Sequence, residues 1–432
     1  MKGNGKNSER FLYFRTEAVR KPLGAGRRSE IFQTIRGKFP DIVSGKSFAG
    51  TALERLGSPA GFAAMAMVPG VADPEGGAPA ERWLDVARAV NAACENGHGA
   101  WGVSNHVVGC FFPVETGDAC LSIAGRIRET LSPETGVFIG MAVYPAIHYT
   151  KHAIFGNAIK ALDHAGFPGQ KGMAVFDAVT LNISGDRLYQ AGDIVGAMEE
   201  FEAGLSMDPA NVNLHISLGV CHGTLGYRKK AMKEFDTAIS LDPKDPMALY
   251  NKGVICLIAG EKKKALAHFI RADNYGKDLF EPGFQAGKIC FGMKDYSKAE
   301  RHFKKAAECN PRSGPVFRYL GKCAIARKDP KAAILAYKKA VKINPFDAES
   351  LSALGFLYGI RNENPEIAVL YCRHSVRISP ENGLYRYRLG RLYLKQDRRE
   401  EALDAFVEAA RLGHDAAEFI DRIQNRRTAK AS

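Results

Sequence analysis

Few side chains here are spaced as a reaction centre would need. In "AWGVSNHVVGCFFP" (residues 100–113), Ser104, Asn105 and His106 share the tip of what reads as a hairpin, while Asp73 and Glu75 follow an apolar run in a Gly/Pro-rich loop. Together they could form a substitute metal site or a general base, but a capped hairpin beside a surface loop is the plainer reading. His148 and His152 have the spacing that holds a metal on a helix, yet their stretch reads as a loop with no carboxylate beside it. No catalytic residue, metal or cofactor is expected. The most consistent grouping lies farther along: Tyr250, Phe284, Lys288, Arg318, Lys322, Tyr387, Arg391 and Lys395 recur on one helical face. Cations there would supply charge-assisted hydrogen bonds and the rings would anchor a peptide, with acidic groups favoured.

The elements that would position the tip lie between residues 58 and 177. "GFAAMAMVPG" reads as a buried strand, "APAERWLDVARAVNAACENG" as a helix, and "AWGVSN" with "VVGCFFPV" as a hairpin. "TGDACLSIAGRIRETL" reads as a helix, "TGVFIGMAVYP" as a strand, "IFGNAIKALDHAG" as a helix and "KGMAVFD" as a last strand. Their order predicts an α+β, ferredoxin-like domain, with helices on one face of a mostly antiparallel sheet.

The hairpin ending "CFFP", the strand "FIGMAVYP" and the stretch "NAIKALDHAGFPGQKGMAVFD" resemble a GGDEF-type diguanylate cyclase domain of the nucleotidyl-cyclase fold. Pro113, Gly140, Ala142, Pro145, Ala158, Ala161, Leu162 and Ala165 carry the likeness. The family's chemistry needs two carboxylates to hold metal against a triphosphate. Its Gly-Gly-Asp-Glu-Phe signature falls on Ser104, Asn105, His106, Val107 and Val108, its first-strand aspartate on Val68 or Pro69, and its phosphate lysine on Gly166. The resemblance therefore implies a degenerate domain without cyclase activity. An alternative keeps weak binding of a guanine nucleotide or cyclic di-GMP, as a sensor.

From residue 178 the chain repeats itself. "AMEEFEAGLSMDP" from Ala197 recurs in related form from Ala231, Ala265, Ala299, Ala333, Ala368 and Ala402, in steps of 34 residues with one of 35. Gly185, Gly219, Gly253, Gly287, Gly321, Gly355 and Gly390 precede these alanines. Each repeat fits two antiparallel helices, the glycine admitting close approach and an Ala-x3-aromatic pair sharing a face. The period, glycine, alanines and closing proline resemble the tetratricopeptide repeat, which implies seven helical pairs stacked into a right-handed superhelix whose groove the first helices line. The third repeat lacks its proline and the sixth has an extra residue and Cys372 in the aromatic place, so both should be locally irregular. "DAAEFIDRIQNRRTAKAS" reads as a final helix capping the stack through Phe419 and Ile423, with a basic tail.

The boundaries expected are a basic, partly flexible segment (1–57), the cyclase-like domain (58–177), seven repeats (178–414) and the capping helix (415–432). Lys and Arg against Asp and Glu count 12 to 5 in residues 1–57, 7 to 11 in 58–177 and 41 to 31 thereafter, a net +13 for the 432-residue chain. The nine cysteines contain no CxxC pair, against a disulfide framework or zinc knuckle. No run is long and apolar enough to span a bilayer, no secretory signal is evident, and no nucleic-acid module appears; a cytoplasmic protein is expected. The function these features imply is a non-enzymatic adaptor whose groove binds a partner protein or peptide.

Overall fold

A computed structural model describes residues 25–45, 48–57, 59–70, 78–104, 107–114, 116–132, 135–146, 149–167 and 172–431, with the side chains of 25–29 and 426–431 outside the description. The chain forms two compact units, residues 1–243 and Lys244–Ser432.

The first unit is built on a six-stranded mixed sheet. Its strands are β1 (Val43–Ser44), β2 (Phe62–Pro69), β3 (Ala100–Ser104), β4 (Val107–Phe112), β5 (Val137–Tyr144) and β6 (Met173–Val175), in the order β1-β3-β4-β2-β5-β6. The four central strands pair antiparallel, and β1 and β6 add in parallel at the edges.

Helices cover both faces of this sheet, not one. Against Met65, Met67, Cys110, Phe112, Ile139 and Met141 pack α1 (Ala25–Lys38), α3 (Ala80–Gly97) and α4 (Gly117–Glu129). Against Ala64, Ala66, Phe111 and Ala142 pack α2 (Phe48–Arg55) and α5 (Ile154–Ala165). The cause lies in the strands: "FAAMAMVP" and "VVGCFF" are apolar at nearly every position, so each of their faces must be removed from water. Gly140 lets α5 lie directly on β5, since a Cβ there would overlap the Ala158 carbonyl and Leu162 amide.

The stretch ahead of residue 58 is part of this core. Ile31 and Ile35 of α1 are buried on one face, and Phe48, Ala52 and Leu53 of α2 on the other. The expectation of a basic lead-in over residues 1–57 is corrected for this part: its apolar residues are few but sit at helical spacing. The same unit continues into two helical pairs, α6 (Ala178–Gln190) with α7 (Ile194–Met207) and α8 (Val212–Thr224) with α9 (Arg228–Leu241).

The second unit contains five more pairs and a last helix. The pairs are α10 (Pro246–Ile258) with α11 (Lys262–Tyr275), α12 (Phe280–Gly292) with α13 (Tyr296–Cys309), α14 (Gly314–Ala326) with α15 (Pro330–Ile343), α16 (Ala348–Arg361) with α17 (Pro365–Ile378), and α18 (Gly383–Lys395) with α19 (Arg399–Arg411); α20 (Ala417–Ala431) follows. Asp or Asn residues start many of these helices: Asp193, Asn211, Asp245, Asp295, Asp329, Asp347 and Asn382 each accept a bond from the backbone three residues on. Such caps contribute about 1 kcal/mol apiece.

Within each pair the glycine and aromatic meet as the repeat pattern predicts. A Cβ at Gly219, Gly253, Gly287, Gly321 or Gly390 would come within 2.6 to 2.9 Å of Phe235, Phe269, Phe303, Tyr337 or Phe406, and Gly185 stands likewise against Phe201. In the sixth pair the smaller Cys372 brings the backbones closer, so that Gly355 faces both the Ala368 carbonyl and the Cys372 sulfur. The extra residue there is absorbed by Asn362 and Asn364, both left-handed, without breaking the stack. α20 closes the array: Ile423 is buried and Phe419 stacks on Phe406 at 5.0 Å between ring centroids.

Candidate protein-binding groove

The residues singled out stand on four first helices of the second unit, α10, α12, α14 and α18. Their surroundings differ. Tyr250 of α10 is buried, its ring 5.5 Å from Phe269. Phe284 of α12 is half-buried, among Phe280, Phe303 and Tyr319 at 5.2 to 5.8 Å, with the Lys288 ammonium 5.6 Å above its ring.

On α14, Arg318 and Lys322 meet acids from the start of α16. Arg318 Nη1 lies 3.1 Å from Asp347 Oδ1 and its Nε 3.4 Å from Glu349 Oε2, while Lys322 Nζ lies 2.8 Å from Glu349 Oε1. Asp347 is buried and also accepts from the Ser350 hydroxyl at 2.8 Å. Burial works against the Arg318 charge, but the Asp347 carboxylate outweighs it and the guanidinium pKa rises above its ordinary value. Lys322 also lies over Tyr319 and Phe291, 5.2 and 5.6 Å from their centroids. The expectation of a plain basic stripe is thus corrected at these two positions, where the cations form a mixed-charge set with the next pair.

The seventh pair uses its cations differently. Arg391 donates to the Tyr387 hydroxyl at 3.2 Å and lies 5.0 Å from the centroid of Phe419 and 5.8 Å from those of Phe356 and Tyr387. Tyr387 itself packs against Phe406, His414 and Phe419. Lys395 donates to the Gly359 and Ile360 carbonyls at 2.6 and 3.2 Å, where α16 ends and its carbonyls carry partial negative charge. These three side chains hold the end of the array together.

Several contributors to the strip were not anticipated. Phe291, Tyr319 and Phe356 supply half-buried rings, Arg388 donates to Ser352 Oγ at 3.1 Å, and Glu349 joins two cations. Part of the signal was available: Phe356 stands one residue after Gly355, as Lys322 does after Gly321, whereas Tyr319 follows Arg318 on the adjoining face.

At the sheet-domain hairpin, Val103 faces Val108 and Ser104 faces Val107. Asn105, His106, Asp73, Glu75 and His148 lie outside the described residues. Ser104 is a strand end whose hydroxyl reaches the Gly45 carbonyl at 3.5 Å, and His152 sits in a single 3-10 turn. Among the described residues, no three His, Cys, Asp or Glu side chains gather as a metal site. The nine cysteines are free thiols, eight of them buried. No helix among the described residues is long and apolar enough to cross a membrane.

Family models of the tetratricopeptide repeat match residues 225–278, 285–348 and 385–412. The helical pairs in these stretches are tetratricopeptide repeats. Solved structures similar to the chain include YrrB, a tetratricopeptide-repeat protein with an unusual peptide-binding site, at 22% identity over 41% of this chain and 91% of that one, with a TM-score of 0.37. Another is a tetratricopeptide-repeat protein from Parabacteroides merdae, at 20% identity over 57% and 98% of the two chains, with a TM-score of 0.38. A third is pilF of Pseudomonas aeruginosa, at 19% identity over 48% and 94%, with a TM-score of 0.43. No curated protein matches the chain. Tetratricopeptide repeats generally mediate contacts between proteins.

Proposed function

We propose that this chain is a non-catalytic adaptor, and that the groove lined by α12, α14 and α16 binds an extended segment of a partner protein. One observation carries the reading: Phe284 and Phe291 stand half-buried against half-buried Tyr319, with Lys288 above Phe284 and Lys322 above Phe291 and Tyr319, and Phe356 is half-buried on α16. Half-buried rings have apolar area left to cover, and rings of this kind concentrate binding energy at interfaces. Glu349 is the exchangeable element. A carboxylate from the partner can take its place at Lys322, at little net cost because both are partly exposed. The ligand favoured is a peptide with apolar side chains flanking an acidic one.

The sheet domain supports the non-catalytic half of this reading. The run β2-α3-β3-β4-α4-β5 with strand order β3-β4-β2-β5 fits a ferredoxin-like, cyclase-related core. Two of the signature positions are spent on packing: Val107 and Val108 are buried in the clusters on opposite faces of the sheet. A carboxylate at either place would be cut off from solvent and substrate alike.

Panning a random peptide library on phage against the purified full chain tests the groove. Peptides of the stated pattern should be enriched, and the enrichment should vanish with Phe291→Ala or Lys322→Glu. No enrichment over background, or enrichment indifferent to both substitutions, would refute the assignment. Incubation with GTP and magnesium should yield no cyclic dinucleotide.

A further inference from the structure

The outer side of the later repeats carries a face that the groove does not use. α12 packs on α14 and α16 on α18, whereas α13, α15, α17 and α19 make no comparable contact with one another, so the second helices stand on the outside of this stack. Two of them are apolar where their neighbours are charged. Leu335 of α15 and Leu370 of α17 follow Ala333 and Ala368 by two residues, a place held by Arg301 in α13 and Asp404 in α19. Leu335 is 64% exposed and Leu370 61%. Ile367, three residues before Leu370 and on its face, is exposed as well. Phe346, in the turn after α15, is 68% exposed, its ring 6.2 Å from that of His374, which stands one turn beyond Leu370.

The charges of these two helices are unbalanced. α15 carries four lysines and no acid, and α17 carries two arginines and Glu366. Lys331, Lys342, Arg373 and Arg377 are exposed, and among the described residues none has an acid within ion-pair distance. Lys331 and Lys342 lie one turn before and two turns beyond Leu335, and Arg373 and Arg377 one and two turns beyond Leu370. Arg318 and Lys322, on the first helix of the same fifth repeat, are instead answered by acids. The next second helix, α19, is acidic, with Asp404 in the leucine's place and Glu400, Glu401 and Glu408 on the same helix. The basic and apolar face therefore ends at α17.

An occupant of this face has to take up aliphatic side chains that stand above the surface together with cations that lack partners. A second copy meeting the same face would set lysine against lysine. Nucleic acid would answer the cations with phosphate but leave the leucines in water. A partner helix needs a groove to enter, and side chains standing this far out line none. An anionic bilayer accepts both kinds of group at once. We propose that the outer face of α15 and α17 docks on an anionic lipid surface, with Leu335, Phe346, Ile367 and Leu370 entering below the headgroups and the basic side chains held at the phosphates. The groove on the first helices stays open, so the proposal is independent of what binds there.

Flotation of the full chain with lipid vesicles tests this. The chain should rise with vesicles of equal parts phosphatidylcholine and phosphatidylglycerol, and stay behind with phosphatidylcholine alone. The double variant Leu335→Glu, Leu370→Glu should cut the bound fraction at least about tenfold, and Arg373→Glu, Arg377→Glu likewise, while Val407→Glu on α19 stays within about twofold of wild type. All of these positions are exposed, so the fold is retained in each variant. Absence of flotation with the anionic vesicles would overturn the proposal. Binding indifferent to the leucine pair, the mark of charge attraction alone, would overturn it as well. Light scattering that showed a dimer abolished by the leucine pair would assign the face to a second copy and count equally against it.

Discussion

Lys322 of the fifth repeat and Arg391 of the seventh occupy matching places, each one residue after its repeat's glycine, and together with Arg318 and Lys395 respectively they do different work. The fifth-repeat cations meet carboxylates at the start of α16, one buried and one half-open to solvent. The seventh-repeat cations meet rings and helix-end carbonyls that fix α20 and the end of α16. The difference follows from position in the array. An inner first helix is followed by another repeat, whose acids can answer its cations; the last one is followed by the closing helix, whose contribution is Phe419. Spacing assigns a face, and the neighbour decides whether that face recognises a partner or seals an end.

Substitutions separate the two roles by size of effect. Phe419→Ala should cost most, about 2 to 3 kcal/mol, because it strips the ring from Phe406, Tyr387 and Arg391 together; urea unfolding would show it as a lower midpoint. If stability were unchanged, α20 would not be the closing element. Arg318→Ala should cost about 2 kcal/mol, since buried Asp347 keeps only its Ser350 and backbone bonds. Restoring stability by adding Asp347→Asn would show that the loss came from the stranded carboxylate.

Arg391→Met, which keeps the stem and loses the charge over three rings, should cost about 1 kcal/mol. It would appear as faster hydrogen exchange in α18 and α20. Lys322→Ala should change stability least, by under about 0.5 kcal/mol, because its partner Glu349 is 38% exposed. A large loss at Lys322 would place it with the seventh-repeat group and weaken the case for an exchangeable site.

Much of this fold was legible in the sequence, and what was not has physical causes. The helical pairs could be read because glycine, alanine and aromatic act within one pair, at fixed separation: Gly287 and Phe303 need each other whatever lies outside. The largely antiparallel sheet was also foreshadowed by its alternating elements. Its two-sided burial was missed, although the unbroken apolar run of Phe62–Pro69 already implied it. A short amphipathic helix could be read in "SEIFQTIRGKFPDIV", where α1 lies, but its place in the core and α2 were missed because Ile31, Ile35, Phe48 and Leu53 are diluted by basic and glycine positions. In the groove, the cations were found but their partners were not, since Asp347 and Glu349 belong to the following repeat and reach back across a contact that no single repeat reveals.

The central claim is that the fifth-repeat strip recognises and the seventh-repeat strip supports. Calorimetric titration of a peptide selected by panning, against wild type, Lys322→Glu and Arg391→Met, tests it most directly. Lys322→Glu is predicted to weaken binding by about tenfold or more, while Arg391→Met leaves it within about twofold. Unchanged affinity in Lys322→Glu, or a loss confined to Arg391→Met, would contradict the account.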